Sequence, residues 1–262
     1  MRLLVKLGGT LLDGETSRRR LAAELAAAAC DGVELVVVHG GGKQMTRFLA
    51  ERGVESRFVN GLRVTTPETL DAVVKVLAGS VNQELVAAFI AAGARAVGLS
   101  GVDACLTEAE TMDPELGAVG RVVRSNAELL HLLTAKGYVP VVACVAGDRD
   151  GRIFNVNADQ MASACASAFG ADRLIFLTDV NGVLGADREP LPVLTAGDGE
   201  RLIRTGVATG GMQAKLNAAI DALRKGVREI TIAPGGELGI VSRILNGEAV
   251  GSRLVEEGAA LV

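Results

Sequence analysis

The sequence predicts an α/β protein, and three observations carry that expectation. Short strands that are apolar throughout alternate with helices, glycines gather where strands give way to helices, and apolar residues are plentiful. Strands without polar alternation are covered on both faces, as in a parallel sheet between helical layers. With 262 residues, 49% of them hydrophobic, the chain can bury a large core, so disorder is excluded and one large domain or two small ones fit.

The first strand is Leu3-Leu4-Val5-Lys6-Leu7, ended by a tight turn at Gly8-Gly9. Leu21 to Cys30 is alanine-rich and helical, with Thr16 or Ser17 as candidate N-cap. Leu35 to Val38 is a second buried strand, running into Gly40-Gly41-Gly42 and a short helix from Lys43 to Glu51. Helices are expected around Glu68–Ala78 and Val81–Ala92, then strands at Ala96–Leu99, Val139–Val142, Leu174–Leu177 and Arg228–Ala233. Two stretches break the alternation. Val54–Thr65 reads as a hairpin around Asn60-Gly61, a strong turn dipeptide, and Cys105–Val123 as a longer one over the sheet edge. A seam near Phe169-Gly170-Ala171 divides the chain into a lobe of about 1–170 and a lobe of about 171–262 around one sheet.

Composition removes several function classes. Aromatics are 3% of the chain, with no Trp and one Tyr, too few for a nucleic-acid stacking platform. A formal charge of -4 also disfavours general polyanion binding. No stretch free of Asp, Glu, Lys and Arg approaches the roughly 20 apolar residues of a spanning helix, so no membrane crossing is expected. Lys6 and the glycines after it interrupt the N-terminal apolar run, so no signal peptide is visible. Cys30, Cys105, Cys144 and Cys165 are widely spaced and read as buried, reduced thiols of a cytoplasmic protein.

Gly8-Gly9, Gly40-Gly41-Gly42, Gly98/Gly101 and Gly210-Gly211 stand at strand–helix junctions. Ligands of open α/β sheets bind at the carboxyl ends of strands. Glycine there lets bare N–H groups approach phosphate oxygens, and a following helix N-terminus adds positive potential. The pattern therefore points to phosphate binding, yet no Walker A loop, dinucleotide fingerprint, zinc motif or protein-kinase catalytic loop is present. Lys6 sits just before Gly8, and Lys215 near the start of the helix that Gly210-Gly211 opens. A cation near a helix N-terminus opposes the helix dipole, which is reasonable if an anion lies between. Asn157 and Gln160 fit a helix cap, while Asn155 is left unexplained and Asp159 is free to face the lysines. Arg63 reads either as a solvated charge or as a carboxylate clamp, and His39 and His131 as structural.

Five segments occur in order: Val5-Lys6-Leu7-Gly8-Gly9, His39-Gly40-Gly41-Gly42, Asn60 to Thr65, Asn155 to Gln160, and Gly211-Met212-x-x-Lys215. Together the sequence resembles the amino acid kinase family, in the branch that phosphorylates N-acetyl-L-glutamate for arginine biosynthesis. The resemblance runs from Lys6 to about Arg253. It implies a three-layer αβα sandwich, with acetylglutamate on the N-terminal lobe and MgATP on the C-terminal lobe. It makes Lys6 and Lys215 the transition-state lysines and Asp159 the residue orienting both. Gly41, Gly42, Arg63 and Asn155 would bind the acid. Gly8, Gly9, Asp179, Val180, Asn181, Gly182, Val183, Leu184, Val207, Ala208 and Thr209 would bind the nucleotide, with Mg2+ held mainly by ATP phosphates.

Arginine-inhibited members carry an extra N-terminal helix, and here the first strand begins at about Leu3, so a homodimer insensitive to arginine is expected. The same lysines would serve a kinase acting on aminoadipate or glutamate borne by an acidic carrier protein. A non-catalytic nucleotide-binding protein would lack one of the lysines or the aspartate.

Overall fold

A computed structural model describes residues 1–256; the end of the expected C-terminal lobe, 257–262, lies outside the described residues. The chain runs β1 (Arg2–Leu7), α1 (Glu15–Cys30), β2 (Glu34–His39), α2 (Gly42–Ala50), β3 (Phe58–Val59) and β4 (Leu62–Arg63). It continues through α3 (Pro67–Val73), a π-helical segment (Val74–Val81), α4 (Asn82–Ala91), β5 (Arg95–Ser100), β6 (Thr107–Thr111), β7 (Val119–Ser125) and α5 (Glu128–Ala135). Then come β8 (Tyr138–Ala143), β9 (Val145–Gly147), β10 (Ile153–Val156), α6 (Ala158–Phe169) and β11 (Arg173–Thr178). The last elements are β12 (Val193–Thr195), α7 (Ala196–Arg204), α8 (Gly210–Arg224), β13 (Glu229–Pro234), α9 (Ile240–Leu245) and β14 (Ser252–Val255).

Eight strands form one sheet in the order β12-β14-β13-β11-β1-β2-β8-β5. Its pairs are parallel except β13 with β14. β1 is the spine: it pairs with β2 on one side and with β11 on the other, so the sheet passes unbroken between the two halves of the chain. The inner strands are buried from end to end, as their unbroken Val/Leu/Ile runs require. Register puts Leu7 beside His39 and Leu177, and His39 beside Ala143, which lines the carboxyl ends up along one edge.

Four sequence expectations change. The Cys105–Val123 stretch pairs as a hairpin, but β6 and β7 close a small barrel with β9 and β10 rather than lying flat over the edge. α1 begins at Glu15 with Gly14 as N-cap, because the chain enters extended there and no side chain caps the helix, not Thr16 or Ser17. The two helices expected over Glu68–Ala92 are one, since the π-helical turns of Val74–Val81 carry the chain through Gly79 without a break. Its apolar length, Pro67–Ala91, suits a membrane span by composition, but half of its most apolar window is buried inside the fold, packed on α1, β5 and β8. Finally, Cys144 and Cys165 are buried as expected, whereas Cys30 and Cys105 are exposed, one at a helix end and one in a tight turn.

The Asn60-Gly61 turn forms as read. Both residues take positive φ, 49° and 79°, which joins β3 to β4 through a two-residue connection.

Candidate active site

Lys6 is the penultimate residue of β1 and projects to the sheet face covered by α6, which carries Asp159 in its first turn. The Lys6 Nζ lies 2.7 Å from Asp159 Oδ1, and both side chains are 7% exposed. Lys215, on the second turn of α8, reaches the other carboxylate oxygen at 3.4 Å. Asp159 stands where it does because Asn157 caps α6, its side chain accepting from the N–H groups of Asp159 and Gln160. Burial alone would push the Asp159 carboxyl upward; Lys6 and then Lys215 outweigh it and hold the group below the ordinary carboxylate value. One carboxylate thus fixes two ammonium groups at the carboxyl edge of the sheet, where an anion would find them.

The glycine loops close around this centre. A Cβ on Gly9 would lie 3.0 Å from the Gly42 nitrogen, and one on Gly41 would lie 2.5 Å from the Leu77 side chain. Only bare backbone allows the Gly8-Gly9 turn to sit against Gly41-Gly42.

Arg63 is buried at the foot of the hairpin. Its guanidinium donates to Ser56 Oγ, to Thr46 Oγ1 at 2.9 Å and to the Gly42 carbonyl at 3.2 Å, and lies over the Phe58 ring at 4.6 Å. Asn155 Nδ2 donates to Thr65 Oγ1 at 3.0 Å, and that hydroxyl donates to the Arg63 carbonyl at 2.8 Å. Asn155 therefore steadies the arginine's backbone, a link between β10 and the hairpin that its sequence position does not disclose.

Two cavities open from the centre. The smaller, of about 230 Å³, is lined by Gly40–Gly42, Arg63, Asn155 and Asp159, with Leu77, Val119 and Cys144 as apolar wall. The larger, of about 640 Å³, is lined by Gly8, Thr10, Asp179 and Lys215. Lys6, Gly9, Gly42, Phe58 and Arg63 belong to both. Burial pushes the Cys144 thiol up to about 11 against the opposing pull of Lys6, so it serves as an inert wall rather than a nucleophile. A third and larger cavity, of about 840 Å³ between α6, α8 and β7, includes neither lysine nor Asp159.

The residues expected to touch nucleotide divide. Asp179 faces the larger cavity, and Val180, Asn181, Leu184, Val207 and Thr209 are exposed near it in sequence. Val183 corrects the expectation: its side chain is fully buried, its N–H donates to Ser252 Oγ at 2.8 Å and its carbonyl accepts from Leu191. Gly182 is packed against Gly251 and Ser252, and Ala208 is buried within the same lobe. These three shape the segment from inside.

A model of the amino acid kinase family matches residues 1–234. The chain belongs to the amino acid kinase family. An acetylglutamate kinase from Solibacter usitatus is 67% identical over 255 residues, spanning 97% of this chain and 99% of that one. An acetylglutamate kinase from Rubrobacter xylanophilus is 43% identical over 257 residues, 98% of each chain. Among solved structures, smu.665 from Streptococcus mutans superposes with a TM-score of 0.85 at 26% identity, covering 98% of this chain and 99% of that one. Carbamate kinase from Giardia lamblia bound to AMP-PNP shares the fold, with a TM-score of 0.72 at 19% identity over 98% of both chains. The chain is an ATP-dependent kinase of this family, and its mainly parallel sheet flanked by helices is the family's fold.

Proposed function

We propose that the protein is an acetylglutamate kinase, transferring the γ-phosphoryl group of ATP to the γ-carboxylate of N-acetyl-L-glutamate. The observation that carries this reading is the pair of cavities, one small and one large, that meet at Lys6 and Gly9. The names of the relatives supply the acid.

The acid would occupy the smaller cavity, its α-carboxylate toward Arg63 and Asn155, with Gly41 and Gly42 below it. The nucleotide would occupy the larger, its phosphates over Gly8-Gly9 and its remainder toward the 179–184 and 207–209 segments. The attacking carboxylate is already ionised at neutral pH, so no general base is required. A bond forms between its oxygen and the γ-phosphorus as the bond from that phosphorus to the β–γ bridging oxygen breaks, and ADP leaves with the electron pair. Such a transfer needs in-line positioning and charge stabilisation more than covalent help. Lys6 and Lys215 would follow the charge on the transferring group, and Asp159 would hold both in place.

Magnesium would enter as MgATP. Among the described residues no cluster of three His, Cys, Asp or Glu could hold an ion. Asp159 is committed to the lysines, and Asp179 is the one acidic side chain on the larger cavity. The ion would therefore be held chiefly by phosphate oxygens.

We infer an N-terminal lobe of about 1–170 for the acid and a C-terminal lobe of about 171–262 for the nucleotide, whose phosphates would reach across onto Gly8 and Gly9 of the first lobe. A homodimer through the β5 edge is the assembly we favour. Among the described residues the outer side of that strand has no partner, and Ile90 on α4 and Leu132 on α5 are 58% and 60% exposed. The four unpaired cysteines suit the cytoplasm.

Hydroxylamine trapping tests the activity: MgATP with acetylglutamate should give hydroxamate, and glutamate, aspartate or aminoadipate should give little. Hydroxamate from none of the free acids would overturn the reading and direct attention to a carrier-borne substrate.

A further inference from the structure

His39 ends β2 and is wholly buried, immediately before Gly40-Gly41-Gly42. Its Nδ1 lies 2.9 Å from the Gly40 carbonyl oxygen, and its Nε2 lies 3.0 Å from Asn82 Nδ2. Asn82 opens α4 where the π-helical segment ends, and it too is buried. Its amide also donates to the Val141 carbonyl at 2.9 Å.

These contacts fix the proton positions. The Val141 carbonyl can only accept, so the NH2 side of Asn82 must face it; of its two other neighbours His39 Nε2 at 3.0 Å lies closer than the Leu99 carbonyl at 3.5 Å and takes the second amide hydrogen. Nε2 is thereby the acceptor, the ring proton resides on Nδ1, and it is donated to Gly40. Burial holds the imidazole neutral, its pKa lowered to about 4 in spite of the bond to Gly40.

The consequence falls on one peptide plane. The Gly40 carbonyl and the Gly41 N–H belong to the same trans unit and point in opposite directions. A peptide between two glycines has the lowest steric barrier to flipping, because no Cβ flanks it. With the carbonyl held by His39, the Gly41 N–H is directed away from the ring, and Gly40–Gly42 are among the residues that wall the smaller cavity. Among the described residues it finds no backbone partner.

We propose that His39 and Asn82 are positioning residues that lock the Gly40–Gly41 peptide with its N–H aimed at the reacting groups, and that Gly98 in β5 is a glycine to make room for them. A Cβ on Gly98 would lie 2.1 Å from Asn82 Oδ1. The lock therefore begins on the edge strand, which lines neither cavity, and ends at the phosphoryl site. This inference rests on the kinase reading above for what the N–H does, and on contacts alone for the lock.

The test compares His39→Leu, His39→Asn and Gly98→Ala. His39→Leu removes the donor and should lower kcat about 10- to 100-fold, below the full loss of an oxyanion donor, with both KM values within about threefold. His39→Asn keeps an N–H near the Nδ1 position and should restore kcat to within about fivefold of the parent. Gly98→Ala should show the same kcat-selective loss and be non-additive with His39→Leu, since both break one relay. Nitrogen-15 spectra of the imidazole read the tautomer without substrate. A proton on Nε2 would overturn the lock. So would His39→Leu and Gly98→Ala proteins that melt lower but keep kcat per folded molecule. If the parent fails to phosphorylate acetylglutamate while the Nδ1–H tautomer is found, the lock stands and the substrate assignment falls.

Discussion

The two cavities are built differently, although they share a wall. On the smaller one and the wall it shares, the polar side chains are already committed: Lys6 to Asp159 at 2.7 Å, Arg63 to three acceptors and Asn155 to Thr65, with His39 held on Gly40 just behind. Around the larger one the contacts are looser. Lys215 stands 3.4 Å from Asp159 and is twice as exposed as Lys6, and Asp179 and Lys43 are exposed to solvent. On the proposed assignment the acid side is preorganised, with the cost of ordering it met in folding, whereas the nucleotide side would be completed by the phosphates themselves. A small acid leaves little binding energy for rearrangement; a triphosphate brings enough charge to draw flexible cations inward.

The comparison is broken most severely at the shared wall. Lys6→Ala should lower kcat by at least about 10²- to 10³-fold, the loss seen for one preorganised donor. Lys215 still faces Asp159, which keeps that carboxylate from being stranded, and circular dichroism should confirm the fold. An Ala variant retaining a tenth of the parent rate would place the chemistry elsewhere.

Arg63→Lys sharpens the contrast from the acid side. A lysine cannot reproduce a fork that donates to Ser56, Thr46 and Gly42 together. The KM for acetylglutamate should rise about tenfold while that for MgATP stays within about twofold, measured in the trapping assay.

Acid titration separates two of the committed groups on the acid side by stability. His39 has a folded pKa of about 4, below its ordinary 6.5, so the fold prefers the neutral ring. Its contribution is complete above the unfolded pKa and is lost as pH falls from about 6.5 towards 4, on the order of 3 kcal/mol in all. Asp159 has a depressed pKa, and its contribution is lost only below the ordinary carboxylate value of about 4. Urea midpoints should thus decline from pH 6.5 to 4.5 in the parent and stay nearly flat over that range in His39→Asn. The smallest effect is expected from Asp179→Asn, which should raise the KM for MgATP by up to about fivefold, the worth of one exposed charge, and leave the acid's KM unchanged.

Much of this was legible in the sequence because the chemistry sits where local signals are strong. Gly8-Gly9 and Gly40–Gly42 end apolar strands, which placed them at the carboxyl edge, and Lys6 and Asp159 lie within a turn of such breaks. What was not legible depends on distant partners. Val183 belongs to a segment expected at the nucleotide, yet Ser252 and Leu191 engage both its backbone groups and its side chain is buried. Asn155 steadies Arg63 through Thr65, 90 residues away in the chain. Asn82 carries no motif, and Gly98, read among the strand–helix junctions, lies inside β5; their relation to His39 exists only once β5, β8 and the helix over them are assembled. The barrel of β6, β7, β9 and β10 was hidden for the same reason: each strand is short and closes only on the others.

The central claim is that acid and nucleotide occupy two cavities at once and exchange the phosphoryl group across Lys6. Initial rates of hydroxamate formation, measured over a grid of acetylglutamate and MgATP concentrations, test it most directly. Reciprocal plots that intersect are the expected result, because both substrates must be bound before transfer. Parallel lines, with ADP released before the acid binds, would signal a phosphorylated enzyme and contradict the account.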